Sequence, residues 1–238
     1  MHIKVKLYIC NIKTKKEKTM RIKIITTPNK EPVPFNYQQK LVGTLHKWIG
    51  MNALHDDISL YSFSWLHEGK KVKDALSFAN GSHLFVSFYD EQVLKKVVSS
   101  ILSQPEMFCG MCVTGVNLVD NPNLDDCEYF YCASPIFIKR RLEDGTVKQY
   151  TYNDEQASGL LKETLLTKMK QVGLEDDTLD IQFDLSFAKK KTKLVRYHGI
   201  GNKANLCPVI IKAKPETKLF AWNVGVGNCT GIGFGAIY

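Results

Sequence analysis

The 238-residue sequence is 44% hydrophobic and 24% charged, with a formal net charge of +8, the composition of a globular chain with apolar residues enough for two small cores. No apolar run approaches the length of a bilayer span, which excludes a helical membrane protein and a membrane partner. The N-terminus lacks a signal-peptide core, so the cytoplasm is the expected compartment.

Residues 1–19 hold six lysines against Glu17, a net +5, leaving only +3 for the rest. They read as a basic N-terminal extension, so any nucleic-acid argument must rest on local patches rather than total charge. From Met20 the chain starts afresh. Residues 21–27 alternate basic and apolar, as a strand would, and Pro28 to Pro34 make a turn-rich connection. Leu41, Val42, Leu45, Trp48 and Ile49 recur at helical spacing over 36–49, and Gly50 ends the helix. Leu60–Leu66 and Leu84–Tyr89 alternate at period two. Asp90 caps a second helix to about Leu102, and 109–119 returns as a strand. The order β-α-β-β-α-β is ferredoxin-like.

Seven scattered cysteines predict reduced thiols. Cys109-Gly110-Met111-Cys112 is a CxxC, but Cys127 and Cys132 do not form the second close pair that zinc would need. Buried strand cysteines, no metal and no cofactor are therefore expected. After a boundary near Asp120–Asp126 the order of elements recurs. Tyr129–Arg140 reads as a strand and Asn153–Gly173 as a helix. Leu179–Phe187 and Thr192–Tyr197 are expected to form a hairpin, followed by a strand at Asn205–Lys212, a short helix near Glu216–Trp222 and a closing strand at Gly233–Tyr238. The fold class is α+β, with two tandem ferredoxin-like (RRM-like) domains over 20–122 and 123–238 and a C-terminal glycine-rich loop.

That loop places Gly225, Gly227, Gly231, Gly233 and Gly235 within eleven residues. Such a run can aim several backbone N–H groups at one anion. No Gly-Lys-Ser/Thr follows it, and no helix can follow it either, so it is neither a Walker loop nor a dinucleotide fingerprint. Gly-apolar-Gly, five residues, Gly-apolar-Gly resembles the C-terminal signature of the RAMP superfamily of CRISPR RNA-binding proteins. With Asn36-Tyr37-Gln38, Leu45-His46-Lys47-Trp48, Ser59–Leu66 and Ala133-Ser134-Pro135-Ile136, residues 20–238 resemble the CRISPR repeat-processing endoribonucleases, the sixth Cas family. The resemblance implies an enzyme that binds the repeat RNA of a precursor transcript and cuts it once at the repeat's 3′ side without a metal. In that reaction the 2′-hydroxyl attacks the adjacent phosphate, leaving a 2′,3′-cyclic phosphate and a 5′-hydroxyl. Other Cas proteins of an effector complex, or a second copy of the chain, are the further partners it suggests.

Such chemistry needs a base, an acid and a cation beside the charging phosphorane. His46 is the leading candidate, because the apolar stripe through Tyr37, Leu41, Leu45 and Trp48 is centred more than about 90° from it, which places it at the rim of the packed face. His55 lies in the loop after the helix, where the family often carries a second histidine. Lys47 follows His46 directly, with Lys40 one heptad earlier. Tyr37 falls on the buried stripe, and His67, His83 and His198 have no motif behind them. For RNA binding, Lys189, Lys190, Lys191 and Lys193 sit at the expected hairpin tip with Arg196 beyond it. Lys139, Arg140 and Arg141 end a strand, and Asn228 joins the glycines of the loop. Clusters of this kind contact phosphates and give salt-dependent affinity; unpaired bases or a short stem would supply the sequence choice. Two other readings share the glycine run: an inert RNA-binding RAMP subunit, and an enzyme holding a nucleotide or other small phosphorylated metabolite. The endoribonuclease ranks above both.

Overall fold

A computed structural model describes residues 20–50 and 58–238 of the chain, so the basic extension and His55 lie outside the described residues. In the first half β1 (Arg21–Thr26), β2 (Val33–Pro34), α1 (Gln38–Ile49), β3 (Tyr61–Phe63), β4 (Lys70–Val72), β5 (Ala75–Ser77), β6 (Ser82–Phe88), α2 (Glu91–Ser103) and β7 (Val113–Val119) follow in order. Four of the strands form an antiparallel sheet in the order β3-β6-β1-β7. Alternation in β1 sends Ile22 and Ile24 to the face covered by both helices, where they meet Leu41, Leu45 and Trp48 of α1 and Leu94 and Val97 of α2. Asp90 caps α2 by accepting from the Gln92 N–H at 2.7 Å. Gly50 ends α1 at φ +84°. A small sheet in the order β2-β5-β4 joins the segment before α1 to the two strands that lie between β3 and β6.

The second half comprises β8 (Tyr129–Phe130), β9 (Ile138–Arg141), β10 (Val147–Tyr150), α3 (Ala157–Gln171), β11 (Asp180–Phe183), β12 (Lys191–Tyr197), β13 (Ile200–Leu206), β14 (Val209–Lys212) and α4 (Pro215–Val224). Its sheet runs β11-β14-β8. The final residues add a fourth position beside β8, with Tyr131 and Tyr238 exchanging backbone bonds of 2.9 and 3.0 Å. The strand order of the first half is thereby repeated, with α3 and α4 over a second core. The fold is two tandem ferredoxin-like domains.

Local pairings depart from the expected ones. The strand at 129–140 is broken into β8 and β9, because Pro135 has no N–H to continue a ladder; β9 turns back on β10 instead. Asp180–Phe183 does not pair with Lys191–Tyr197. Its buried Ile181 and Phe183 match Ile211 and Val209 of β14, while β12 pairs with β13. The tip of that hairpin is therefore His198-Gly199, both with positive φ (47° and 78°), a two-residue turn suited to strand twist. The lysine run lies at the foot of the hairpin. Strand 205–212 is divided by Pro208, and Gly233–Tyr238 begins with a tight turn and joins the sheet only at its end. Strand β3 is three residues long, and β7 starts after the CxxC rather than within it, leaving Cys109 and Cys112 half-buried.

Arg21 closes the seam between the halves. The β1 alternation turns it away from the helices, and it is only 2% exposed. Its guanidinium lies 3.8 Å from the Phe85 ring centroid and 3.2 Å from that of Trp222. It donates to Ser87 Oγ at 2.6 Å, to the Trp222 carbonyl, and to the Ile237 carbonyl at 3.0 Å. Ser62 Oγ adds a bond of 2.8 Å to the Asn223 carbonyl. Removing the guanidinium leaves buried carbonyls without a donor, so Arg21→Ala is expected to lower unfolding stability by about 3 kcal/mol. Arg21→Lys should recover only part of it, since an ammonium neither forks nor stacks as a guanidinium does. Urea midpoints measure both, and a loss below about 1 kcal/mol for the alanine variant would show that the seam is held elsewhere.

Candidate active site

His46 sits on the last turn of α1, half-buried at the rim of the packed stripe. Its Nε2 is 3.3 Å from Tyr61 Oη. Tyr61, on β3 and 4% exposed, donates its hydroxyl to the Gly231 carbonyl at 3.0 Å. With that hydrogen committed, the phenol oxygen is an acceptor for a protonated Nε2, which orients the imidazole. Burial, with Tyr197 adding to it, pushes the Tyr61 phenol up to about 12 against the opposing hydrogen bond from Ser59. The phenol therefore keeps its proton at neutral pH. One tyrosine thus joins the α1 histidine to the glycine-rich loop.

The glycine-rich loop is built differently from a cradle of free N–H groups. The N–H groups of Gly225, Val226, Asn228, Ile232, Gly233 and Gly235 go to the carbonyls of Ala221, Gly235, Phe137, Cys229, Thr230 and Pro135. The glycines are buried, and their role in the structure is close packing. A Cβ on Gly235 would collide with the Val226 carbonyl oxygen at φ +67°, and one on Gly231 would collide with Ser59 Oγ. Only its outer stretch, Gly227 to Thr230, lines a cleft of about 420 Å³ with Ser59, Arg140 and Lys168. Gln38 pins the far end of the loop to α1 by donating to the Ile232 carbonyl.

Lys168 forms the floor of this arrangement. It occupies the Leu161–Leu165–Met169 stripe of α3 and is 3% exposed. Its ammonium donates to the carbonyls of Val224 (3.0 Å) and Gly225 (3.3 Å) and to Thr230 Oγ1 (3.0 Å). These partners are neutral, and burial lowers the pKa from 10.5 to about 7, with the Cys229 thiol opposing.

The other expected site residues are scattered. Lys47 donates to the Glu106 carbonyl at 2.7 Å, which draws its ammonium to the connection before β7. Arg140 is held by the Leu160 carbonyl, Glu163 and Thr164 at 3.0–3.2 Å. Asn228 turns its side-chain oxygen to the Lys139 N–H at 2.9 Å. Lys139, Arg141, Lys189, Lys191, Lys193 and Arg196 are exposed, and Lys190 is half-buried. Tyr37 is core, its hydroxyl accepting from the Leu66 N–H at 3.0 Å. No group of metal-ligating side chains occurs among the described residues. Tyr61 and Lys168 were missed. Period-two alternation reads Tyr61 as plain core, but a lysine on an apolar helix stripe was a signal in plain view.

A family model described as "CRISPR associated protein Cas6, C-terminal" matches residues 119–238. Among solved structures, one titled "CRISPR associated protein Cas6" is 20% identical with a TM-score of 0.78, covering 92% of this chain and 98% of its own. The product of a Cas6-related gene from Pyrococcus furiosus is 20% identical with a TM-score of 0.80, covering 92% and 97%. A protein described as "An RAMP protein binding different RNA substrates" is 19% identical with a TM-score of 0.77, covering 92% and 98%. At such identities the likeness is one of fold. No curated protein matches by sequence.

The buried amine has a measurable signature. Because the folded pKa of Lys168 (about 7) lies below its ordinary 10.5, the unfolded chain binds the extra proton between those values, and stability rises with pH across that window. The difference in unfolding free energy between wild type and Lys168→Met should therefore move in favour of the wild type by about 2 kcal/mol from pH 7 to pH 9. Urea titrations at the two pH values read this directly, and a flat difference would contradict a titrating buried ammonium.

Proposed function

Because the chain belongs to the Cas6 family of CRISPR-associated proteins, we propose that it binds the repeat RNA of a CRISPR precursor transcript and cuts it within each repeat to release guide RNAs. The observation that carries this reading is His46, held by Tyr61 against the Gly231 carbonyl, where the α1 helix meets the loop of the family-matched half. In the reaction the ribose 2′-oxygen forms a bond to phosphorus as the bond to the 5′-oxygen breaks. One proton leaves the 2′-hydroxyl for a base and one reaches the departing oxygen from an acid. The products are a 2′,3′-cyclic phosphate and a 5′-hydroxyl; no water is consumed and no metal is required.

His46 takes one of the two proton roles, for which an imidazole near neutrality is suited. His55 is proposed for the other. Lys47 must leave the Glu106 carbonyl to reach a phosphate. Phosphate contacts are assigned to Lys139, Arg141, Lys189, Lys190, Lys191, Lys193 and Arg196, and to the loop edge facing the cleft. Gly225, Gly233 and Gly235 serve by letting the loop close. Other Cas proteins that receive the guide belong to the same proposal.

Repeat RNA incubated with the wild-type protein in EDTA should be cut once per repeat. His46→Ala is expected to slow that cut by at least about 100-fold while RNA affinity stays within a few-fold. A single 2′-deoxy nucleotide before the scissile phosphate should block it. Undiminished cutting of the deoxy substrate would rule out attack by the sugar, and undiminished cutting by His46→Ala would remove the histidine from the chemistry.

A further inference from the structure

A groove of about 710 Å³ runs between β12 and the segments that lead into α1 and out of β3. Phe35 stands in it 51% exposed, although the chain turns inward immediately afterwards to bury Tyr37 and Leu41. Trp65, opposite, is fixed in place. Its indole N–H donates to the Gly233 carbonyl at 2.9 Å, and its ring meets Tyr37 edge-on at 6.3 Å. Cations flank both rings: Lys71 Nζ is 5.8 Å from the Phe35 centroid and Lys193 Nζ is 4.4 Å from that of Trp65. Arg196 also faces the groove from β12, and His67 from the segment after β3. The carboxylate among the lining residues, Glu68, is 3.6 Å from His83 Nδ1 and so directed to that imidazole.

A half-exposed phenylalanine beside fixed tryptophan and flanking lysines matches a base with its phosphates: flat, apolar on its faces and anionic at its edge. An apolar peptide segment would gain nothing from the cations. The groove also lies in reach of the candidate active site. Gln38, at its edge, is eight residues before His46 on α1, about 12 Å along the helix, a span of a few nucleotides.

We propose that this groove holds one unpaired nucleotide of the RNA, its base stacked on Phe35 and its phosphate between Lys193 and Arg196. The inference rests on the RNA-processing reading above and deepens it, since it names a residue that senses whether a base near the cut is unpaired. Stacking is tolerant of base identity, so the groove selects for strandedness rather than sequence.

The test uses the His46→Ala protein, so that binding is read without cutting, and a set of repeat RNAs each lacking one base. Loss of one base near the cleavage site should weaken binding by about tenfold. Adding Phe35→Ala should cost the same with intact RNA and nothing more with the abasic RNA, because both remove one contact. A 2-aminopurine at that position should be quenched on binding, should stay bright with Phe35→Ala, and should be quenched again with Phe35→Trp. Phe35 is exposed, and circular dichroism checks that its variants fold. Unchanged binding by Phe35→Ala, or losses that add at every position, would overturn the proposal. If the parent protein binds no repeat RNA at all, the failure lies with the RNA-processing reading, and the groove inference falls with it.

Discussion

The two halves of this molecule meet around a buried guanidinium. Taking a cation out of water is costly, and Arg21 is tolerated because an aromatic face on each side of the seam, the Ser87 hydroxyl of the first half and two carbonyl oxygens of the second replace its hydration. The arrangement is directional. A guanidinium offers a rigid fork of donors, so α4 and the C-terminal segment are fixed relative to β1 in register as well as in distance. An apolar plug would fill the same space without that constraint.

The geometry of the candidate site inherits this precision. Once α4 is placed, the loop after it must fold back over Ser59, Tyr61 and Phe63, and there is no room for side chains on the way. Glycine makes the approach feasible, at the entropic disadvantage that glycine always carries. Lys168 from below and Gln38 and Tyr61 from the first half then hold the loop's carbonyls. The result is a rigid support for one imidazole, assembled from residues far apart in sequence, as sites that depend on sub-ångström placement require.

The legibility of the sequence followed the range of the interactions. The α1 stripe, the Gly50 stop, the Asp90 cap and the position of His46 at a helix rim are written within one or two turns of chain, and all were readable. The tandem repeat of element order was readable for the same reason. Partners of strands were not. Whether β11 pairs with its neighbour β12 or with β14 depends on which apolar faces match across some thirty residues, and local periodicity is silent on that. The two-residue turn at His198-Gly199 and the break at Pro135 were local signals that could have corrected the pairing. Among the site residues, the glycines were recognised by pattern, but their purpose was not. A close backbone approach and an anion cradle ask for the same residue type, and only the destinations of the N–H groups tell them apart.

The Arg21 contacts also bear on how the chain comes together. Its carbonyl partners lie 201 and 216 residues away in sequence, among the most distant pairings the chain makes. During synthesis the first sheet, with Phe85 and Ser87 in it, is therefore complete long before Trp222 and the carbonyl partners exist. In that interval a central strand presents a solvated positive charge on the sheet's open face, which discourages face-to-face sticking of nascent sheets. The residue that locks the finished molecule thus begins as its own guard against aggregation, and changes role when the last helix docks.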